Sequence, residues 1–302
     1  MATERLCVGT RGSLLALAQT DQVCRALQHC FPGLFCQKIV LHTRGDQLQD
    51  GTPGQASKGI FVREIQEALL RGEIDLAVHS LKDLPVEGHP ELEIAAIPKR
   101  EDARDLWVSN TVARPEELSG EATIATGSLR RQAQLEVLLP RAHFVPVRGN
   151  LDTRLAKLLS HPDWTATLVA LAGWKRLSPS LTIPYLTPLP FDQMLPAPGQ
   201  GALAVEIRRN DPSVRDVVRV LHDPPTSAEV RAERAFLYAL GGGCRAPIAA
   251  KGTVEGNRLV LEGFAHLPGW EKPKRARIEG TVQDPEGVGK KLAEQLHKQD
   301  PS

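Results

Sequence analysis

What this sequence has least of narrows it first. Aromatic residues make up 4% of the 302 positions against 41% hydrophobic residues in all, enough apolar material for real, mostly aliphatic cores. The formal net charge is +1, so there is no global electrostatic case for nucleic acid. The five cysteines, Cys7, Cys24, Cys30, Cys36 and Cys244, are odd in number and lack CxxC spacing. That argues against a disulfide scaffold and against a zinc site, and no metal is expected. Cys7 falls in a strand pattern and Cys24 in a helix pattern, so both read as core. No apolar run follows a basic start and none is long enough to span a bilayer, so a cytoplasmic protein without a membrane partner is expected. Neither GxGxxG after the first strand nor GxxxxGKS/T occurs, which counts against a nucleotide-binding enzyme. Internal repeats and low-complexity segments are also missing.

Lysine is scarce beside arginine, 12 against 25. Surface solvation would be served equally well by lysine, whereas arginine is the better bidentate partner for carboxylate or phosphate. The arginines recur at strand ends. Leu6–Gly9 reads as a strand leading through Arg11 to a helix from Leu14 to about His29, with Ser13 as N-cap. Gln37–His42 is a second strand, ending at Arg44, and the polar stretch 47–58 reads as a mobile loop that could act as a lid. After a helix over Phe61–Leu70, the strand Ile74–His79 runs into Ser80-Leu81-Lys82-Asp83-Leu84-Pro85. A strand at Ile94–Ile97 and a crossing segment at Pro98–Asp102 follow. The strands Thr123–Ala125, Phe144–Val147 and Thr167–Leu171 then lead into small-residue turns followed by Arg130 and Arg131, by Arg148 and Arg154, and by Arg176.

Residues 178–198, with six prolines, read as an irregular connection back to the first domain. Gly199-Gln200-Gly201 is a turn, Ala202–Ile207 a returning strand, Ser213–Leu221 a helix and His222–Pro225 a boundary. The alternation predicts an α/β fold with mainly parallel sheets and ligands beyond the carboxyl ends of the strands. The expected domains are 1–99 with 199–218, then 100–198, both α/β, and a small α+β domain at 219–302. Arginines gathered at such an edge are costly unless anions occupy them, so a polycarboxylate ligand is implied. Asp83 is the one acid leaving a strand among them, although a turn residue needs no further role.

Ala228–Leu240 reads as a helix stopped by Gly241-Gly242-Gly243, with Cys244 and Arg245 next. Three glycines exceed what a helix stop needs and leave space beside the thiol, and Arg245 favours the thiolate. An ordinary buried cysteine fits the same local pattern.

The motifs, taken in order, are Thr10–Ser13, Thr43–Asp46, Val78–Pro85, Thr126–Arg131, Arg148–Arg154, Ala172–Arg176, Gly199–Ala202, Ala232–Phe236 and Gly242–Pro247. Together they resemble the porphobilinogen deaminase (hydroxymethylbilane synthase) family over nearly the whole chain. The resemblance implies a transferase of tetrapyrrole and haem biosynthesis. It would deaminate four porphobilinogen molecules and join them head to tail onto a dipyrromethane held by Cys244, then release hydroxymethylbilane by hydrolysis. It implies Asp83 as catalytic acid, stabilising a cationic intermediate. For the cofactor it implies Cys244, Lys82, Asp83, Thr126, Ser128, Arg130, Arg131, Arg148 and Gly149. For the substrate it implies Arg11, Ser13, Gln19, Arg148, Arg154, Arg176 and Gln200. It further implies a monomer with three domains, the first two resembling lobes of type II periplasmic-binding proteins. Lysine should not replace Arg131 or Arg148, and folding should survive either change.

The chain departs from the pattern at Gly127, where serine is common, at Leu14 for proline, at Gly241 for glutamate, and in a shortened Gly51–Ser57 loop without lysine. A non-enzymatic two-lobed anion-binding protein is the alternative, but it leaves Cys244 unexplained.

Overall fold

The computed structural model describes residues 5–41, 62–118, 120–242 and 246–298. In chain order these hold β1 (Arg5–Arg11), α1 (Leu14–Cys30), β2 (Phe35–Leu41), α2 (Arg63–Leu70), β3 (Leu76–Ser80), a 3-10 turn (Leu81–Asp83) and β4 (Leu92–Ala96). Next come β5 (Asp105–Ser109), β6 (Thr123–Ala125), α3 (Leu129–Leu138), β7 (His143–Val145), α4 (Leu151–Ser160), β8 (Ala166–Ala170), α5 (Leu171–Leu177) and β9 (Tyr185–Pro188). The chain continues with β10 (Leu203–Arg208), α6 (Pro212–Val218), α7 (Pro224–Ala239), β11 (Ile248–Glu255), β12 (Arg258–Ala265), β13 (Lys274–Thr281) and α8 (Pro285–Lys298). They fall into two compact units, Met1–Glu101 with Ala202–Ser227, and Asp102–Gly201 with Ala228–Ser302.

The first unit has one five-stranded sheet, ordered β2-β1-β3-β10-β4. Strands β1, β2 and β3 are parallel, and β10 runs antiparallel between β3 and β4. Central strands β3 and β10 are buried almost throughout, as strands covered on both faces are, and their buried polar residues His79 and Glu206 pair with each other. Helix α1 covers one face, burying Val23, Cys24 and Leu27 against Leu6, Val8 and Val205. The other face packs Ile65, Ala68 and Leu69 of α2 with Ile74 and Ala77.

The second unit repeats this plan in the order β7-β6-β8-β5-β9, again with one antiparallel strand, β5, next to the last. Second-first-third-antiparallel-fourth is the layout expected of type II periplasmic-binding-protein lobes. In both sheets the antiparallel strand starts beside the carboxyl end of the third parallel strand: Leu203 pairs Ser80, and Asp105 pairs Ala170. The chain thus delivers extra residues to the edge where the parallel strands finish. The same unit holds the antiparallel sheet β11-β12-β13, packed on α7 and α8 through Ala232, Phe236, Leu261 and Leu292. This is the small α+β domain. Ala249 and Phe264 of its sheet pack against Ala133 and Leu195, and Ala250 N–H donates to the Pro196 carbonyl at 3.0 Å.

Three local readings change. Asp105–Ser109 is a strand where the sequence reading assigned no element, between the crossing segment Pro98–Asp102 and the strand Thr123–Ala125. Tyr185–Pro188, read as irregular because of its prolines, is an edge strand, the position where proline costs a sheet least. Pro224 and Pro225, read as part of a boundary, also open α7, since proline fits the first helical turn, and Asp223 caps it through the Thr226 N–H at 2.9 Å.

Candidate active site

In the first unit, Arg11 ends β1, and Ser13 caps α1 by accepting from the Ala16 N–H at 3.3 Å. Gln19 is buried, and its amide exchanges hydrogen bonds with the Ser80 hydroxyl at 2.8 and 3.2 Å. Beyond Ser80 the chain makes the 3-10 turn. Leu81 and Leu84 are buried on either side of it, Leu81 N–H donates to the Ala202 carbonyl at 3.1 Å, and Leu84 N–H closes onto Leu81 at 3.2 Å. The turn is therefore held from both ends, and it presents a half-buried Lys82 and an exposed Asp83. Beneath it His79 Nε2 lies 3.1 Å from Glu206, whose other oxygen accepts from Gln66 at 2.8 Å. This group, with His79 and Glu206 buried and Gln66 half-buried, was not anticipated.

In the second unit, the β6 end runs into Thr126, whose N–H donates to the Val145 carbonyl at 2.9 Å, and Ser128 caps α3 by accepting from the Arg131 N–H. Arg130 and Arg131, in the first turn, are each 5% exposed. Both grip Asp105, which is fully buried: Arg130 donates to Oδ2 at 2.7 Å, and Arg131 to Oδ1 at 2.7 and 3.1 Å. Arg130 also donates to the Leu195 carbonyl and Arg131 to the Leu168 carbonyl, at 2.7 and 2.8 Å. Burial alone would raise the Asp105 carboxyl, but the charges and hydrogen bonds of the two guanidiniums hold it well below the usual carboxylate range. Burial lowers the Arg130 guanidinium, with Asp105 opposing and Arg131 assisting.

Gln200 is also fully buried and donates to the Ala103 carbonyl at 2.8 Å and to Asp105 at 3.1 Å. One residue earlier, Gly199 N–H donates to Glu233 of α7 at 2.7 Å, and Glu233 accepts from Gly252 N–H at 2.8 Å. Gly149 holds φ 113°, and a Cβ there would lie 2.7 Å from Thr153, so the turn between β7 and α4 admits no side chain at that point. Arg148 is exposed; Arg154 Nε donates to the Gly149 carbonyl at 2.8 Å, and Arg176 donates to the Gly201 carbonyl at 2.8 Å. Helix α5 follows β8 directly, so the third small-residue turn read from the sequence is absent and Arg176 sits in a last helical turn.

Two guanidiniums against one carboxylate leave this buried edge with a net positive charge, a donor set suited to an anionic group. Sequence reasoning found the arginines and missed Asp105. Its only signal was an acid heading the apolar run Leu106-Trp107-Val108. Cys244 with Arg245, Arg44, and the 47–58 loop lie outside the described residues. Among the other cysteines, Cys24 is buried and Cys7 only half-buried; the hydrogen bond between Cys24 and Cys36 raises the first thiol and lowers the second. No group of three metal-ligating side chains occurs among the described residues, and no helix there is long and apolar enough to cross a membrane.

Residues 6–216 match the family described as "Porphobilinogen deaminase, dipyromethane cofactor binding domain", and residues 227–298 match "Porphobilinogen deaminase, C-terminal domain". Curated relatives named porphobilinogen deaminase include those of Geobacter sulfurreducens, 44% identical over 98% of this chain and 92% of the relative, and Moorella thermoacetica, 45% identical over 96% and 92%. The Thermus thermophilus relative is 44% identical over 97% of this chain and 95% of its own length.

Proposed function

The chain belongs to the porphobilinogen deaminase family, and from that premise we propose that it deaminates four porphobilinogen molecules and joins them head to tail, releasing ammonia and then hydroxymethylbilane. The observation that carries this reading is the buried Arg130–Arg131 pair, sharing one carboxylate at the carboxyl edge of its sheet. Porphobilinogen and the oligomer built from it carry an acetate and a propionate on each pyrrole, the anions such an edge would hold.

A dipyrromethane bound through Cys244 would supply the pyrrole to which the first substrate is joined. For the cofactor, Thr126, Ser128, Arg130, Arg131, Arg148 and Gly149 would be binding residues, as would Lys82 and Asp83. Arg11, Ser13, Arg148, Arg154 and Arg176 would bind substrate carboxylates. Gln19 and Gln200, also substrate-site residues in this reading, are buried and would act by holding Ser80 and Asp105. Asp83 would do the chemistry: its backbone is fixed by buried Leu81 and Leu84 while its carboxylate is exposed, so it can face pyrrole N–H groups and stabilise positive charge as ammonia departs. The domains would be 1–99 with 199–218, 100–198 and 219–302, working as a cytoplasmic monomer without nucleic acid or membrane.

Intact-protein mass should exceed the sequence mass by one dipyrromethane, and peptide mapping should place it on Cys244. Cys244→Ser should fold without adduct or activity. An adduct on Cys7, Cys24, Cys30 or Cys36, or full activity without any adduct, would overturn the reading. Asp83→Asn should keep the fold and lose roughly 10²-fold or more in single-turnover porphobilinogen consumption; a rate within about threefold of wild type, far inside that range, would remove Asp83 from the chemistry.

A further inference from the structure

Asp105 is fully buried in the second unit, and neither the motifs nor the family descriptions assign it a role. It heads the antiparallel strand β5, and that direction sets it beside Ala170, where β8 ends. Its two oxygens are divided: Oδ2 receives Arg130, while Oδ1 receives Arg131 twice and Gln200 once, all between 2.7 and 3.1 Å. Adjacent guanidiniums on one helical turn repel each other, and in a buried place that repulsion is weakly screened. Without an acid they would splay apart. The geometry points to Asp105 as the positioning residue of the Arg130–Arg131 pair: it takes up one of the two positive charges, fixes both guanidinium planes, and leaves one net charge for a ligand carboxylate.

This rests on the reading that the pair binds ligand carboxylates. Gln200 and Glu233 extend the support. Gln200 ties Asp105 to the Ala103 carbonyl, and Glu233 holds the neighbouring Gly199 from helix α7. An acid that only stabilises the fold would, when changed, reduce the fraction of active enzyme and leave KM where it is. An acid that positions ligand-binding arginines would change KM in molecules that are folded and loaded.

The test compares wild type, Asp105→Asn and Asp105→Glu as purified holoenzyme. Intact mass gives cofactor loading, circular dichroism gives folding, and KM and kcat are measured per loaded molecule. Asparagine removes the charge and must turn an N–H₂ toward one guanidinium; glutamate keeps the charge but moves it by one methylene. Both are expected to raise the KM for porphobilinogen about tenfold or more while kcat per loaded molecule changes much less, as when binding is weakened equally before and during reaction. Asparagine should also lower cofactor loading, with loading partly rescued in Asp105→Glu. Should Asp105→Asn not fold, Asp105→Glu decides alone. Wild-type KM and loading in the folded variants would overturn the positioning role. Wild-type protein with neither adduct nor porphobilinogen turnover would instead overturn the family reading of the site, so the two failures are told apart.

Discussion

At the level of single residues, Gly127 shows how close neighbours decide what a departure from a family pattern means. A Cβ on Gly127 would lie 2.7 Å from the Val147 carbonyl oxygen, just before Arg148. Restoring the serine common at that turn therefore requires the Thr126–Ser128 turn or the Val147–Gly149 turn to move. Gly127→Ser is expected to lower stability by about 1–3 kcal/mol, the range for overpacking, and a denaturation midpoint at or above wild type would show that the turns yield freely. Arginines that look equivalent in sequence also separate here. Arg148 is exposed, so Arg148→Lys should leave stability within about 0.5 kcal/mol. Arg131→Lys breaks the fork on Asp105 and should cost about 3 kcal/mol or more, as when one partner of a buried pair is removed. Folding is therefore expected to survive Arg148→Lys and to be weakened in Arg131→Lys, and parallel urea titrations of the two variants check it.

Among the elements, α7 joins the Gly199 turn to strand β11. Its end is closed by Gly241, at φ 65°, with Gly241 N–H bonded to the Tyr238 carbonyl and Gly242 N–H to the Leu237 carbonyl, at 2.9 and 3.0 Å. That paired pattern uses two of the three glycines as a helix stop. Midway along, fully buried Glu233 accepts one backbone N–H from the Gly199 turn and one from Gly252 on β11. Glutamine at this position keeps the volume but replaces an acceptor with a donor, setting N–H against N–H. Glu233→Gln is expected to cost about 1–3 kcal/mol, the penalty of an unsatisfied buried group. Urea unfolding measures it; a cost near zero would mean that water enters the site.

For the whole molecule, Asp105 sets an acid limit. Its carboxyl binds protons less readily folded than unfolded, so the unfolded chain gains protons first as pH falls. The stabilisation is complete above the ordinary carboxylate value of about 3.9 and is lost progressively below it. Unfolding free energy should drop between about pH 4 and pH 3 in wild type and drop less steeply in Asp105→Asn; equal slopes would show that other carboxylates dominate.

Apart from β5 and β9, the order of strands and helices was readable because apolar runs alternate with amphipathic segments, and Ser13, Ser128 and Gly241 punctuate them with side-chain or glycine chemistry that acts locally. The strand-end position of Arg11, Asp83, Arg130 and Arg148 followed from the same local pattern. The partners of those residues did not. Asp105 lies 25 positions from Arg130, Glu206 lies 127 from His79 and Glu233 lies 34 from Gly199. The first two pairs exist only once antiparallel strands β5 and β10 have slotted between parallel ones, and the third only once helix α7 meets the Gly199 turn; a charge pattern along the chain carries no record of either. The sequence by itself therefore determined the family, most of the elements and which charged residues stand at the strand ends. Only the tertiary structure decided that Arg130 and Arg131 are buried against an acid while Arg148 is exposed, because the low-dielectric interior that makes the difference is formed by residues distant in sequence.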